Sequence, residues 1–360
     1  MVDQVTNQYE PDYVSPPGDT LIEILDARGM TQKELAARTG RTSKHVNEIV
    51  KGKAAITSET AIQLERALGI PASFWNNRQQ RYGEYIARIR ESEALRSRLQ
   101  WARQFPYKKM SDLGWIECVS DKITRFRNLL GYFAVASPDA WKKHYEGRLQ
   151  VNYRVSRTYR PDQYALAAWL RQGEIVGAKC DCAPYDSDLF KEVLSQIRDL
   201  TTEPPSVFQP KVAELCASCG VVVAFVPELP KTASGATRWL TQDKALLQLS
   251  LKYKTDDHLW FTFFHEAAHI LQHHKRSIFI EGGKSTNSEE RAADSFASDF
   301  LIPPQDFRRL IAHNLSCSCI SGFADDIGVA PGIVVGRLQH DGYLKPSQCN
   351  NLKKGLRWAS

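Results

Sequence analysis

Residues 258–274 read HLWFTFFHEAAHILQHH, and within them His265-Glu266-Ala267-Ala268-His269 forms an H-E-x-x-H motif inside an apolar helix. On a helix the two imidazoles stand one turn apart on a single face, where both reach one Zn2+. Glu266 lies next to the metal, placed to take a proton from the attacking water and pass it to the leaving amine. His258, His273 and His274 flank the motif and read as surface positions.

Working outward, residues 288–304 read SEERAADSFASDFLIPP and predict a second helix, with Ala293, Phe296, Ala297 and Phe300 on its inner face. Glu290, 21 residues after His269, is the candidate third ligand, of oxygen type. Asp294 lies four positions on, on the same face, where a carboxylate can fix the tautomer of a ligating imidazole. Two His, one Glu and a water make an open tetrahedral site, the arrangement of catalytic rather than structural zinc. Upstream, Leu246-Leu247-Gln248-Leu249-Ser250 predicts a strand beside the cleft, which is either a core strand or an edge to which substrate adds as an extra strand.

These residues carry a resemblance. GATRWL, ALLQLSLKYKTDDHLWFTFFHEAAHILQHH and the pattern E-x-x-A-D-x-F-A-x-x-F-L-I-P resemble the ImmA/IrrE metallopeptidases, over roughly 208–304. That group is gluzincin-like and shares the E-x-x-x-D logic of thermolysin. The resemblance implies proteolysis of helix-turn-helix repressors or antitoxins under stress or phage induction. It also implies His265, His269 and Glu290 as ligands and Glu266 as general base. Glu289 is an adjacent alternative; Glu290 is preferred because only it has an Asp four residues later.

The N-terminal part reads differently. Leu21, Ile22 and Leu25 predict a first amphipathic helix. Thr31 caps a second, Gln32–Thr39, with Glu34 completing a capping box and Gly40 ending it. A third helix, Ser43–Lys51, turns Val46 and Ile49 inward and leaves Ser43, Lys44, His45, Asn47 and Glu48 outside. Two helices joined by a Gly-containing turn present a recognition helix to a major groove. Thr42, Ser43, Lys44, His45 and Asn47 are the candidate base-edge contacts, and Gln32 and Lys53 the candidate phosphate contacts. The stretch MTQKELAARTGRTSKHVNEIVKGKAAITSETAIQLERALGIPASFW resembles repressor-type (XRE) helix-turn-helix domains of the HigA antitoxin-like branch.

Charge supports two modules. The chain has 360 residues and a net charge of +6, yet residues 20–110 hold 17 Lys and Arg against 9 Asp and Glu, leaving the remainder slightly acidic. A basic module on a near-neutral body suggests a polyanionic partner for the N-terminal part. With 42% hydrophobic residues and no apolar run near the roughly 18–20 residues of a membrane span, a soluble protein is expected. The opening MVDQVTNQYEPDYVSPPGDT has no secretory character, which points to the cytoplasm. There, structural disulfides are disfavoured for the eight cysteines. Cys216 and Cys219 read as buried small residues, and Cys180-Asp181-Cys182 as a remote candidate for a thiol cap on the metal.

The expected fold is α+β and mostly helical: an all-α helix-turn-helix domain followed by a zincin-like, gluzincin-type peptidase domain with a small sheet. The expected divisions are an extension at 1–17, the helix-turn-helix domain at 18–90, a helical connector without evident chemistry at 91–207, the peptidase core at 208–304, and a C-terminal segment at 305–360. In that last segment ISGFADDIGVAPGIVVGRLQHDGYL looks like a second, degenerate helix-turn-helix with Ile333, Val334 and Leu338 packed inward. The expected function is a zinc-dependent endopeptidase, with Mn2+ or Fe2+ able to take the same ligands. It acts on a repressor- or antitoxin-type protein and is tied to duplex DNA. A homodimer is compatible with this reading; a membrane partner is not expected. The alternative is a DNA-binding repressor or antitoxin whose metal domain senses without turnover, and Glu266 discriminates the two, because a sensor needs no general base.

Overall fold

The computed structural model describes residues 13–96, 98–146, 162–272, 279–280 and 288–359. The chain divides into two compact units, Met1–Arg98 and Leu99–Ser360. His273 and His274 lie outside the described residues.

The first unit is all helical: α1 (Pro17–Ala27), α2 (Gln32–Thr39), α3 (Ser43–Val50), α4 (Ser58–Leu68) and α5 (Ala72–Arg96). Threonine caps recur, because a hydroxyl oxygen satisfies a first-turn N–H that has no partner within the helix. Thr31, Thr42 and Thr57 accept from the backbone N–H of Glu34, His45 and Thr60. The capping box expected at Glu34 does not close, since its carboxylate pairs with Arg38 at 2.6 Å one turn along the same helix. Gly40 follows α2 at φ 67°, the left-handed turn that starts α3. Leu21, Leu35, Val46, Leu64 and Trp75 form the centre of the core. Gly18 lets α1 rest on the end of α3: a Cβ there would stand 2.5 Å from the carbonyl oxygen of Ile49.

The second unit is built on a mixed sheet of β1 (Val221–Phe225), β2 (Gly235–Trp239), β3 (Ala245–Leu249) and β4 (Phe279–Ile280), in the order β1-β3-β2-β4. β1 runs parallel to β3, and β2 runs antiparallel to it with Gly235 opposite Leu249. β4 pairs with β2 across Ala236 and Thr237. β3 is therefore a central, fully buried strand, and the idea that substrate adds to it as an edge does not hold.

The stretch expected to be a connector, 91–207, is no separate piece. It contributes α6 (Leu99–Ala102), α7 (Tyr107–Asp112), α8 (Lys122–Phe133), α9 (Pro138–Trp141), α10 (Gln163–Lys179) and α11 (Ser187–Asp199), all in the second unit apart from the end of α5. Trp141 and Trp169 are fully buried core residues. α10 lies on one face of the sheet, where Gly173 and Gly177 allow close approach; a Cβ at Gly177 would meet Leu246 at 3.2 Å. Gln248 of β3 donates to the Trp169 carbonyl, and the half-buried Glu174 of α10 pairs with Arg238 of β2 and with Arg171. After α12 (Pro205–Ala217), the opposite face is covered by α13 (Asp256–Gln272), whose Phe263 and Phe264 share a core with Leu247 and Leu249. α14 (Ser288–Leu301) packs along α13, stacking Phe300 on Phe264.

The C-terminal helices belong to the same core, so no structural boundary falls at 304/305. After α15 (Pro304–Ile311) come α16 (Cys317–Ile327) and α17 (Pro331–His340), separated by Gly328 at φ 69°. Ile333, Val334, Val335 and Leu338 are all buried, and α17 lies against α13 with Gly332 on Asp256 and Gly336 on Asp257. Cys317 and Cys349 form a disulfide that ties α16 to the segment beyond α17, against the expectation that none would form. Composition could not reveal it, because the two residues meet only once α17 folds back over α13. That last segment grips the start of α13: Asp256 N–H donates to the Lys354 carbonyl, Lys354 N–H to Asp256 Oδ1, and Lys353 Nζ pairs with the buried Asp257 at 2.7 Å. Among the described residues no single helix is long and apolar enough to cross a membrane.

Candidate metal centre and nucleic-acid interface

The apolar run around His265 and His269 buries α13 on nearly every side, so both imidazoles are almost wholly shielded from solvent. Their Nε2 atoms stand 3.1 Å apart, as the one-turn spacing requires. α14 brings Glu290 across, with Oε2 3.3 Å from His265 Nε2 and Oε1 3.6 Å from His269 Nε2. Asp294, one turn further along α14, places Oδ1 2.9 Å from His265 Nδ1. Among the described residues, His265, His269 and Glu290 form the group of side chains able to hold a metal ion.

Two observations test whether a cation fits. First, ligand atoms about 2.0–2.1 Å from a tetrahedral ion lie about 3.3 Å from one another, and the three separations here bracket that value. Second, His265 Nδ1 faces a carboxylate, to which it donates its proton, so Nε2 presents a lone pair. That lone pair faces a second imidazole nitrogen and a carboxylate. Electron-rich atoms this close repel unless a cation or a proton lies among them. Two nitrogens and one carboxylate suit a first-row divalent ion better than Ca2+ or Mg2+, which prefer oxygen.

Glu266 is fully buried beside this group, between α13 and β2. Thr237 Oγ1 of β2 donates to Glu266 Oε2 at 2.8 Å. Gly235, two residues earlier, makes room: a Cβ there would stand 2.8 Å from Glu266 Cγ and 2.5 Å from Thr262 Cγ2. Sequence reading did not pick out Thr237 or Gly235; the GATRWL segment contains both, but only the crossing of β2 over α13 shows their use. Glu289, the alternative third ligand, is exposed and outside the group. His258 is exposed and stacks on Tyr253.

The Cys180–Cys182 segment does not cap the centre. Lys244, just before β3, holds the Cys180 carbonyl, whereas Glu266 lies by Gly235, opposite the far end of that strand. Burial raises the Cys182 thiol and pushes Cys219 up to about 11, so these are neutral thiols. Cys216 is raised for the same reason.

In the first unit, Thr42, Ser43 and Lys44 are exposed at the start of α3, and Lys53 is exposed just beyond its end. Gln32 and Asn47 are half-buried. His45 departs from the expectation of a freely presented side chain: it is half-buried, and its Nε2 is shielded from solvent. The Thr42 hydroxyl is engaged as the cap of α3. Arg38 and Arg41 are paired with Glu34 and Glu59, whereas Lys44 meets Glu48 only at 4.0 Å.

Comparisons with known proteins agree with this division. Residues 9–75 match the helix-turn-helix family, and residues 220–335 match the family described as IrrE N-terminal-like domain. Similar solved structures include an addiction module antidote protein of the HigA family from Coxiella burnetii, 26% identical over 23% of this chain and 92% of that one, with a TM-score of 0.22. Another is the antitoxin GraA, 22% identical over 24% of this chain and 95% of that one, with a TM-score of 0.23. No curated protein matches the chain. The chain joins a helix-turn-helix DNA-binding domain to a metallopeptidase-like domain of the IrrE N-terminal-like type.

Proposed function

We propose that this protein is a zinc-dependent endopeptidase that cleaves a regulatory protein of repressor or antitoxin type, with its helix-turn-helix domain bound to duplex DNA. The observation that carries the reading is the placement of a buried, oriented carboxylate, Glu266, beside the convergent His265, His269 and Glu290. A bound Zn2+ would polarise the scissile carbonyl and make water a better nucleophile at neutral pH. The chain's own residues supply the rest. Asp294 fixes the His265 ring so that Nε2 faces the centre. Thr237 holds Glu266 Oε2, orienting the carboxylate to receive a proton and deliver it to the leaving amine nitrogen. A sensor without turnover has no use for that carboxylate, which favours catalysis over the non-catalytic reading.

The test combines metal analysis with proteolysis. Wild type is expected to hold about one Zn2+ per chain, and His265→Ala or His269→Ala to lose it. Glu266→Gln is expected to keep the metal while cleavage of helix-turn-helix repressors, followed by mass spectrometry, falls by about 10²–10⁴. Full metal occupancy in both histidine variants, or undiminished cleavage by Glu266→Gln, removes the assignment.

A further inference from the structure

The second unit contains a cavity of about 700 Å³ among α6, α7 and the start of α8. Five cations line it: Arg103, Lys108, Lys109, Lys122 and Arg125, against the single carboxylate of Asp112. All five are exposed, and among the described residues none is engaged in an ion pair. Its floor is apolar, supplied by Leu99, Ala102, Phe105 and Pro106.

One cation is already oriented. Arg125 Nε donates to the Val119 carbonyl at 2.7 Å, and the guanidinium carbon lies 5.2 Å from the centre of the Tyr107 ring. Tyr107 is itself fixed, donating to the Glu117 carbonyl and accepting from Asn128 Nδ2. The terminal amines of Arg125 therefore form a pre-positioned fork, the geometry that suits phosphate oxygens and loses little entropy on binding. The surrounding lysines add charge without fixed geometry. So many like charges in one cavity repel one another, and a ligand with several negative charges relieves this best. The apolar floor adds a second requirement, a flat or apolar portion of the same ligand. The volume lies within the range of small-molecule sites, roughly 300–1,000 Å³.

We infer that this cavity binds a nucleoside polyphosphate, with phosphates on the Arg125-centred rim and the base against the Phe105 floor. Inorganic polyphosphate would satisfy the rim alone, and a single-stranded nucleic acid would satisfy it in series. The site is independent of the metal centre and stands whether or not the peptidase reading does.

The experiment is equilibrium titration of the full chain with each of the four ribonucleoside triphosphates, tripolyphosphate, the matching nucleosides and a short single-stranded DNA. A chelator is included so that phosphate coordination at the histidine centre does not contribute. At least one triphosphate is expected to bind with one equivalent per chain, more tightly than tripolyphosphate or its nucleoside. The double variant Arg103→Gln/Lys122→Gln, shown to be folded by its circular dichroism and melting temperature, is expected to weaken binding by about tenfold or more. Arg125→Lys keeps the charge but loses the fork and is also expected to weaken it. Lys191→Ala, at an exposed lysine of α11 paired with Asp188 and outside the cavity, is expected to change nothing, which locates the site. The inference is overturned if no triphosphate binds, if the double variant binds as wild type does, if tripolyphosphate binds as tightly as the nucleotides, or if only the DNA strand binds.

Discussion

Two of the helix–glycine–helix segments, α2–α3 and α16–α17, end in opposite environments. Gly40 and Gly328 take nearly the same left-handed φ, 67° and 69°, so the turns alone do not distinguish α2–α3 from α16–α17. The second helices do. α3 buries Val46 and Ile49 and presents Ser43 and Lys44 to solvent, a narrow apolar stripe on a polar helix. α17 buries Ile333, Val334, Val335 and Leu338 and uses Gly332 and Gly336 to lie close on α13. A helix apolar on several sides is an interior element. The turn specifies that two helices meet; the faces of the second helix decide whether it can reach a groove in DNA or must support a core.

That contrast can be broken experimentally. The largest effect is expected from Gly336→Val, because even a Cβ there would stand 2.7 Å from Asp257 Oδ2. Destabilisation on the order of 3 kcal/mol is expected in denaturant unfolding, whereas Lys44→Ala on α3 should stay within about 0.5 kcal/mol. A neutral Gly336→Val would mean that α17 is a surface helix after all.

A somewhat smaller effect is expected at the junction of α17 with α13. Burial raises Asp256 to about 6. The stability this contributes is full below the ordinary carboxylate value of about 4 and is lost as pH rises through about 6. Asp256→Asn keeps an oxygen able to accept from Lys354 and Asp257, so it should be more stable than wild type at about pH 7.5, on the order of 2 kcal/mol. The difference should vanish near pH 4. Equal stability of the two proteins at both pH values would show that Asp256 is not strained by its burial.

The smallest expected effect concerns DNA. Lys44→Ala with Lys53→Ala should weaken duplex binding by about tenfold and make log K about two units less steep in log salt if both reach phosphates. Arg337→Ala on α17 should leave binding unchanged, because that guanidinium is already committed to Asp341 at 2.6 Å and to the Phe307 ring. Salt-dependent titration with all variants would reverse the assignment of surface and core helix if Arg337→Ala proved the more damaging.

What the sequence disclosed follows the range of the interactions involved. His265 with His269, and Glu290 with Asp294, are each one helical turn apart, so periodicity alone aligns them. The threonine-capped, glycine-ended helices of the first unit were legible for the same reason. Thr237 was not: its partner Glu266 is 29 residues away, reached only when β2 crosses α13. Nor did any local signal mark α10 as the second cover of the sheet, since Gly173 and Gly177 acquire meaning only against Gln248 and Leu246. The disulfide between Cys317 and Cys349 spans 32 residues and was hidden likewise.

The grip of Lys353 and Lys354 on Asp256 and Asp257 also sets a clock. The two hydrogen bonds between Lys354 and Asp256 join positions 98 residues apart. Chains are made from the N-terminus at about 5–20 residues per second, so the helix carrying both histidines waits roughly 5–20 s on the ribosome for its clamp. Through that interval the start of α13 has its acids in place but not the lysines and carbonyl that later hold them. The clamped form of α13 is thus a late product of synthesis, and a chain released early would carry the H-E-x-x-H motif without this anchorage.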